Sequence, residues 1–200
     1  HSLDRRQRQM CIRDSTYGKV WAKDFHYREM PIQSAEIEVQ VNDQATSIKS
    51  DQIIHHLGSL SGNLNFPRAL QASPYLLHFS MDGELPLNDC RKVFGPLVEK
   101  QLINIDASLI NVRGYGEIAK NENSVSSENP TNYNLSLASS LPVSFHGISL
   151  KDIKGEIYYI HGITKGSFVE IKIAEGKCSL NFKKTDLGQS SLIDFSLELK

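Results

Sequence analysis

Two stretches, FHYREMPIQSAEIEV at 25–39 and VSFHGISLKDIKGEI at 143–157, fall on one another when 118 (143 minus 25) is added to the first numbering. Phe25 then meets Val143, Tyr27 meets Phe145, Met30 meets Ile148, Ile32 meets Leu150, Ala35 meets Ile153 and Val39 meets Ile157. Apolar residues match through two successive alternating runs, the period of a strand with one face on apolar surroundings. Self-similarity at a long shift points to a modular chain whose units cover one another's apolar faces.

Alternation extends outward from both copies. VWAKDFHY and MPIQSAEIEVQV read as two strands turning near Arg28 and Glu29, and ATSIKSDQII and LSGNLNF follow. YLLHFSMDGEL (75–85) sets Tyr75, Leu77, Phe79 and Met81 on one face. INIDASLINVRGYGEI (103–118) reads as a long bent strand with Gly114 and Gly116 as kink sites. After position 132 come YNLSLAS, LPVSFHG, ISLKDIKGEIYYI, SFVEIKI, KCSLNFKK and SLIDFSLELK, each closed by turn-forming residues, in the rhythm of consecutive antiparallel hairpins. In SFVEIKI the inward set is Phe168 or Val169, then Ile171 and Ile173; in KCSLNF it is Cys178, Leu180 and Phe182.

Helical spacing occurs once, in PLNDCRKVFGPLVEKQL (86–102). Asn88 or Asp89 can cap its first turn, and Gly95 and Pro96 interrupt it. The polar run KNENSVSSENPTN (120–132) reads as a linker. The expected fold is therefore mainly β: a long, twisted antiparallel sheet, curled into an open groove or packed as a sandwich, with one short kinked helical insertion. It divides into a β-module at 16–119, the linker, and a second, truncated β-module at 133–200.

Residues 1–15, HSLDRRQRQMCIRDS, stand apart. RRQRQMCIRD back-translates to CGT CGG CAG CGT CAG ATG TGT ATA AGA GAC, a match to a common transposase-type sequencing adapter, so this stretch is read as an artefact of library preparation. Cys11 leaves the cysteine count with it. The rest is modestly acidic, since Arg5, Arg6, Arg8 and Arg13 outnumber Asp4 and Asp14 in a chain of formal net charge −1, and this argues against nucleic acid as a partner. Cys90 and Cys178 lack metal-ligand spacing and read as small buried apolar residues, with a pairing between them left open. No apolar run is long enough to cross a bilayer as a helix.

Catalytic and metal-binding patterns are missing from the sequence. His55 and His56 are adjacent and point to opposite faces of a strand, and His26, His78, His146 and His161 are scattered. No nucleophile signature or P-loop occurs, and the GxG of VRGYGEIAKN lacks a following helix. Asp82 with Glu84, and Asp186 with Asp194, read as polar-face and turn residues. The expectation is a protein without catalytic residues, metal or cofactor. What remains to carry function is the apolar face, either covered in a sandwich core or open to a ligand.

The stretch from Phe145 to Ile157, the segment AEGKCSLNF from Ala174 to Phe182, and GKVWAKDFHYREMPIQSAEIEV from Gly18 to Val39 resemble cassettes of the AsmA-like and TamB-like envelope proteins. LPLNDCRKVFGPLVEKQL (85–102) resembles the helical insertion between modules in some bacterial members. The resemblance implies a non-catalytic fragment of a periplasmic cell-envelope protein whose apolar β-groove binds or conducts phospholipid acyl chains in outer-membrane biogenesis. Its membrane anchor would lie outside this chain, and neighbouring β-modules would be its protein partners. On that reading Tyr75, Leu77, Phe79, Val143, Phe145, Leu150, Ile157, Ile171, Ile173, Leu180 and Phe182 face the lipid. The alternative is a closed β-sandwich scaffold or adhesion module of the envelope.

Overall fold

A computed structural model describes residues 16–28, 30–68, 74–89, 105–119, 131–173, 175–186 and 190–199. They form one open antiparallel sheet of 13 strands. The strands are β1 Thr16–Tyr27, β2 Met30–Val41, β3 Ala45–His55, β4 Gly58–Pro67, β5 Tyr75–Leu85, β6 Ile105–Ala107, β7 Ile110–Ala119, β8 Asn132–Ser139, β9 Val143–Phe145, β10 Ile148–Ile160, β11 Ile163–Ile173, β12 Gly176–Asp186 and β13 Ser191–Leu199. The order β1-β2-β3-β4-β5-β7-β8-β10-β11-β12-β13 follows the chain, and short β6 and β9 pair with each other beside this path. There is no second sheet among the described residues.

The matched stretches adopt matching geometry. In the first, Tyr27 pairs with Met30 and Phe25 with Ile32. In the second, Phe145 pairs with Ile148 and Val143 with Leu150. Between these pairs, Arg28 in the first and His146 in the second are left-handed, with φ of 47° and 49°. That is the geometry of a turn whose twist fits a hairpin. His161 (φ 51°) and Gly162 make a third such turn, between β10 and β11.

The bend expected at Gly114 and Gly116 lies earlier. The ladder breaks at Ser108–Leu109, between β6 and β7, and again at Ser140–Pro142, between β8 and β9. The two glycines serve close approach instead. A Cβ at Gly114 would overlap the Leu135 side chain, and one at Gly116 would come within 2.5 Å of the Tyr133 Cβ. Large cross-strand residues lean into the space that glycine leaves.

Helix is described only at Leu87–Asp89, following the fully buried Pro86. Asn88 does not cap it. Its amide donates to Asp106 (2.7 Å) and accepts from the Ala107 N–H (3.3 Å), tying this turn to β6. The remainder of the expected insertion, with Cys90, lies outside the described residues, as do residues 1–15 and 120–130 of the linker. β7 and β8, which flank that linker, pair directly from Asn111–Ala138 to Glu117–Asn132. The Ala119 N–H also donates to Thr131 Oγ1 at 2.9 Å, so the sheet is continuous from one expected module to the other.

Candidate functional site: a two-faced sheet

In an antiparallel pair, residues directly opposite share a face. Following the register strand by strand therefore shows what each face carries. One row runs Ala22, Ala35, Ile53, Leu60, Gly83, Val112, Leu137, Gly155, Phe168, Leu180, Leu197, one residue from each of the eleven strands in the path. Every member is apolar or glycine. A neighbouring row on the same face runs Met81, Gly114, Leu135, Ile157, Gly166, Phe182, Phe195.

The opposite face is as uniform in the other sense. Lys19, Glu38, Lys49, Asn63, Ser80, Tyr115, Asn134, Tyr158, Lys165, Lys183 and Asp194 form a row through the same eleven strands. Ion pairs concentrate here: Lys19 with Glu36 and Glu38, Asp82 with Arg113 (2.7 Å), and Asp152 with Lys172. The Lys19 ammonium and a hydrogen bond from the Trp21 indole hold Glu36 below the usual carboxylate range. Shallow clefts open on this face, one of about 550 Å³ beside Tyr158, Lys165, Asn181 and Lys183.

Ten of the eleven residues expected to face lipid share the apolar face. Leu77 and Phe79 reach it on β5, and Ile157 on β10. Val143, Leu150 and Ile173 stand in one cross-strand line, with Phe145 a further pair along. Leu180 and Phe182 follow on β12. For β11, the choice between Phe168 and Val169 is settled by a bulge: Phe168 pairs with Leu180 but Ile171 with Cys178, so Val169 and Glu170 together oppose one residue. Both Phe168 and Ile171 thereby face the apolar side.

Tyr75 is the exception. The register slips between Tyr75 and Leu77, and Tyr75 lies against His78 (rings 5.2 Å apart) and hydrogen-bonds Glu117 on the polar face. Burial raises the Glu117 carboxyl, but hydrogen bonds from Asn132 and Tyr75 and the charge of His78 outweigh it and hold that carboxyl low.

The residues expected to face lipid include none from β1 to β4. Ala22, Ala35, Ile48, Ile53, Leu60 and Leu64 belong to the same face. The signal was present as alternation, but bulges interrupt it. Lys49 pairs with Glu38 while Gln52 pairs with Glu36, so β3 carries an extra residue at Ser50–Gln52.

Among the described residues, deeply buried apolar side chains are Ile32, Ala35, Ala107, Val112, Ala119, Val143, Ile171 and Cys178, most of them small, together with Pro86. Along β13 every residue is exposed, Phe195 at 73% and Leu199 at 79%. The apolar face is thus lined rather than filled, and Cys178 is an unpaired thiol within it.

His55 is buried at one end of this face, and its two ring nitrogens are both used. Nδ1 accepts from the Leu57 N–H at 3.1 Å, so Nε2 carries the proton donated to the Glu84 carbonyl at 2.8 Å. His56 turns away toward Asp89 (3.5 Å). Among the described residues, no three His, Cys, Asp or Glu side chains converge as a metal site would require.

No family model, no curated protein and no solved structure matches the chain.

Proposed function

We propose that the apolar face receives the acyl chains of phospholipids, leaving their headgroups in water at the sheet's rim, and that the chain works non-catalytically in the periplasmic space of a cell envelope. The observation that carries the reading is the uninterrupted apolar row from Ala22 to Leu197, on a single sheet with no second sheet over it among the described residues. Neighbouring strands lie about 4.8 Å apart, so eleven of them extend that row over roughly 48 Å. This exceeds the length of one acyl chain. Each methylene moved from water onto such a surface gains about 0.8 kcal/mol, enough to hold a two-chain lipid without directed polar contacts. Weak headgroup selectivity follows, because the charged groups lie on the other face.

The test is native mass spectrometry of the 200-residue chain purified with mixed phospholipids, together with transfer of a fluorescent phospholipid between vesicles. Expected are bound lipids of mixed headgroup and accelerated transfer. Phe79→Asp, on the apolar face, should abolish both, while Ser80→Asp, its polar-face neighbour, should leave both intact. A lipid-free mass with transfer at the protein-free rate refutes the reading.

A further inference from the structure

One row of the apolar face departs from the others in its chemistry. Through β8, β10, β11 and β12 the ladder sets Tyr133, Tyr159, Thr164 and Lys184 opposite one another, with no register shift over this stretch. Leu135, Ile157, Gly166 and Phe182 stand two residues away on the same four strands, so both rows share a face. The inner row has no polar side-chain atom, whereas the outer one brings three hydroxyls and an ammonium. Lys184 is thus an exception to the segregation of charge onto the other face. It is half-buried, while Lys183 beside it is exposed on the polar side.

This row lies at the rim of the sheet. Tyr159 and Thr164 pair one step from the tip of the β10–β11 hairpin, where Ile160 meets Ile163 around His161 and Gly162. β8 begins at Asn132 and β12 ends at Asp186, each within two residues of the row. The Tyr133 and Tyr159 rings stack, 4.9 Å between centroids and 9° between planes. Tyrosine and lysine each join an apolar body to a polar tip, which suits the boundary between an apolar surface and water. The four strands span about 14 Å, and the apolar inner row begins about 7 Å along them.

We infer that Lys184 anchors the phosphate of a bound phospholipid, with Tyr133, Tyr159 and Thr164 beside it at the rim and the acyl chains running inward over Ile157 and Phe182. The inference rests on the lipid binding proposed above and names the group that is recognised. That group is the phosphodiester, which all glycerophospholipids share, so selectivity among headgroups stays weak. Lys184 stands opposite Ile193 and two residues from Phe182, where an ammonium is incompletely hydrated and an anion offsets the cost. Charge-assisted hydrogen bonds to phosphate are among the strong ones. The three N–H donors of an ammonium let it serve a protein neighbour and a phosphate oxygen together. Lys165 and Lys183, on the other face, cannot take this part.

The test titrates the 200-residue chain with a fluorescent phosphatidylcholine and with a fluorescent diacylglycerol of the same chains, which lacks the phosphodiester. Wild type should bind the phospholipid about tenfold more tightly, the strength of one charge-assisted hydrogen bond. Lys184→Gln should remove that preference while leaving diacylglycerol affinity and far-ultraviolet circular dichroism unchanged. Lys184→Arg should keep it, and Lys183→Gln should leave both affinities as they are. Equal binding of the two lipids by wild type, or a preference that survives Lys184→Gln, overturns the anchor and leaves the acyl-chain reading standing. Binding of neither lipid refutes the acyl-chain reading, and the anchor falls with it.

Discussion

Gly166→Ala probes how the apolar face is surfaced. Gly166 stands between Ile157 and Phe182 in the ladder, and the Phe182 ring lies across it. A Cβ added there would overlap the ring, with Cζ at 2.5 Å and Cδ1 at 2.7 Å. Phe182 also stacks with Phe168 at 6.5 Å and 17° between planes, so its rotation disturbs a second aromatic. Forcing a packed side chain from its rotamer costs about 1–3 kcal/mol. Replacing glycine recovers roughly 0.4–1 kcal/mol by restricting the unfolded chain. The net expectation is a loss of about 1–2 kcal/mol. With a urea slope of about 2 kcal/mol/M, the unfolding midpoint falls by roughly 0.5–1 M. Gly18→Ala is the control, because a Cβ at Gly18 has nothing within 4 Å and should be neutral or slightly stabilising. In a Phe182→Ala background the cost of Gly166→Ala should vanish, a coupling that a double-mutant cycle measures. If Gly166→Ala unfolds at or above the midpoint of Gly18→Ala, the aromatic does not occupy the glycine's space and the account of the lining is wrong.

Three further outcomes are expected. His55→Ala strands the Glu84 carbonyl and the Leu57 N–H and should cost about 2–3 kcal/mol in urea unfolding. A loss under 0.5 kcal/mol would mean that these groups find other partners. Glu117, held below the ordinary carboxylate range, contributes stability that is present above the titration of an unfolded glutamate and lost as pH falls through its depressed value. Glu117→Gln should therefore flatten the acid limb of a stability-against-pH curve, and an unchanged limb would contradict the Tyr75–His78–Asn132 arrangement. Transfer of fluorescent phospholipid should fall to the protein-free rate with Phe79→Asp and persist with Ser80→Asp.

Much of this fold was legible in the residues, and the illegible parts share a cause. Ile148–Ile160 and Tyr75–Leu85 match the strands read from alternation, and the first hairpin reverses at Arg28, beside which the turn was read. The bend was assigned to Gly114 and Gly116 because glycine permits kinks. It lies at Ser108–Leu109 because those glycines are needed to admit Leu135 and Tyr133. Tyr75 follows the alternation of its own strand, yet a one-residue slip against β7 carries it to the polar side. Period-two reading assumes an unbroken ladder, and a bulge reverses every assignment beyond it without leaving a composition signal. The later strands yielded their inward residues even across the irregular stretches of β10 and β11, because each side of a bulge keeps its own alternation, whereas the bulged β3 yielded none.

Spatial order along the main path follows chain order, from β1 to β13. Along this path strands pair in chain order, and formation of its ladder depends little on distant segments finding one another, whereas the short β6–β9 pair joins Ile105 to Phe145 across the intervening strands. Such a chain can zip from any hairpin outward, and its cooperativity resembles that of a linear array more than that of a globule. Strands can be added at or taken from either end while the interior ladder stays whole. Span thus becomes a quantity that changes in steps of one hairpin, set by how many the gene encodes.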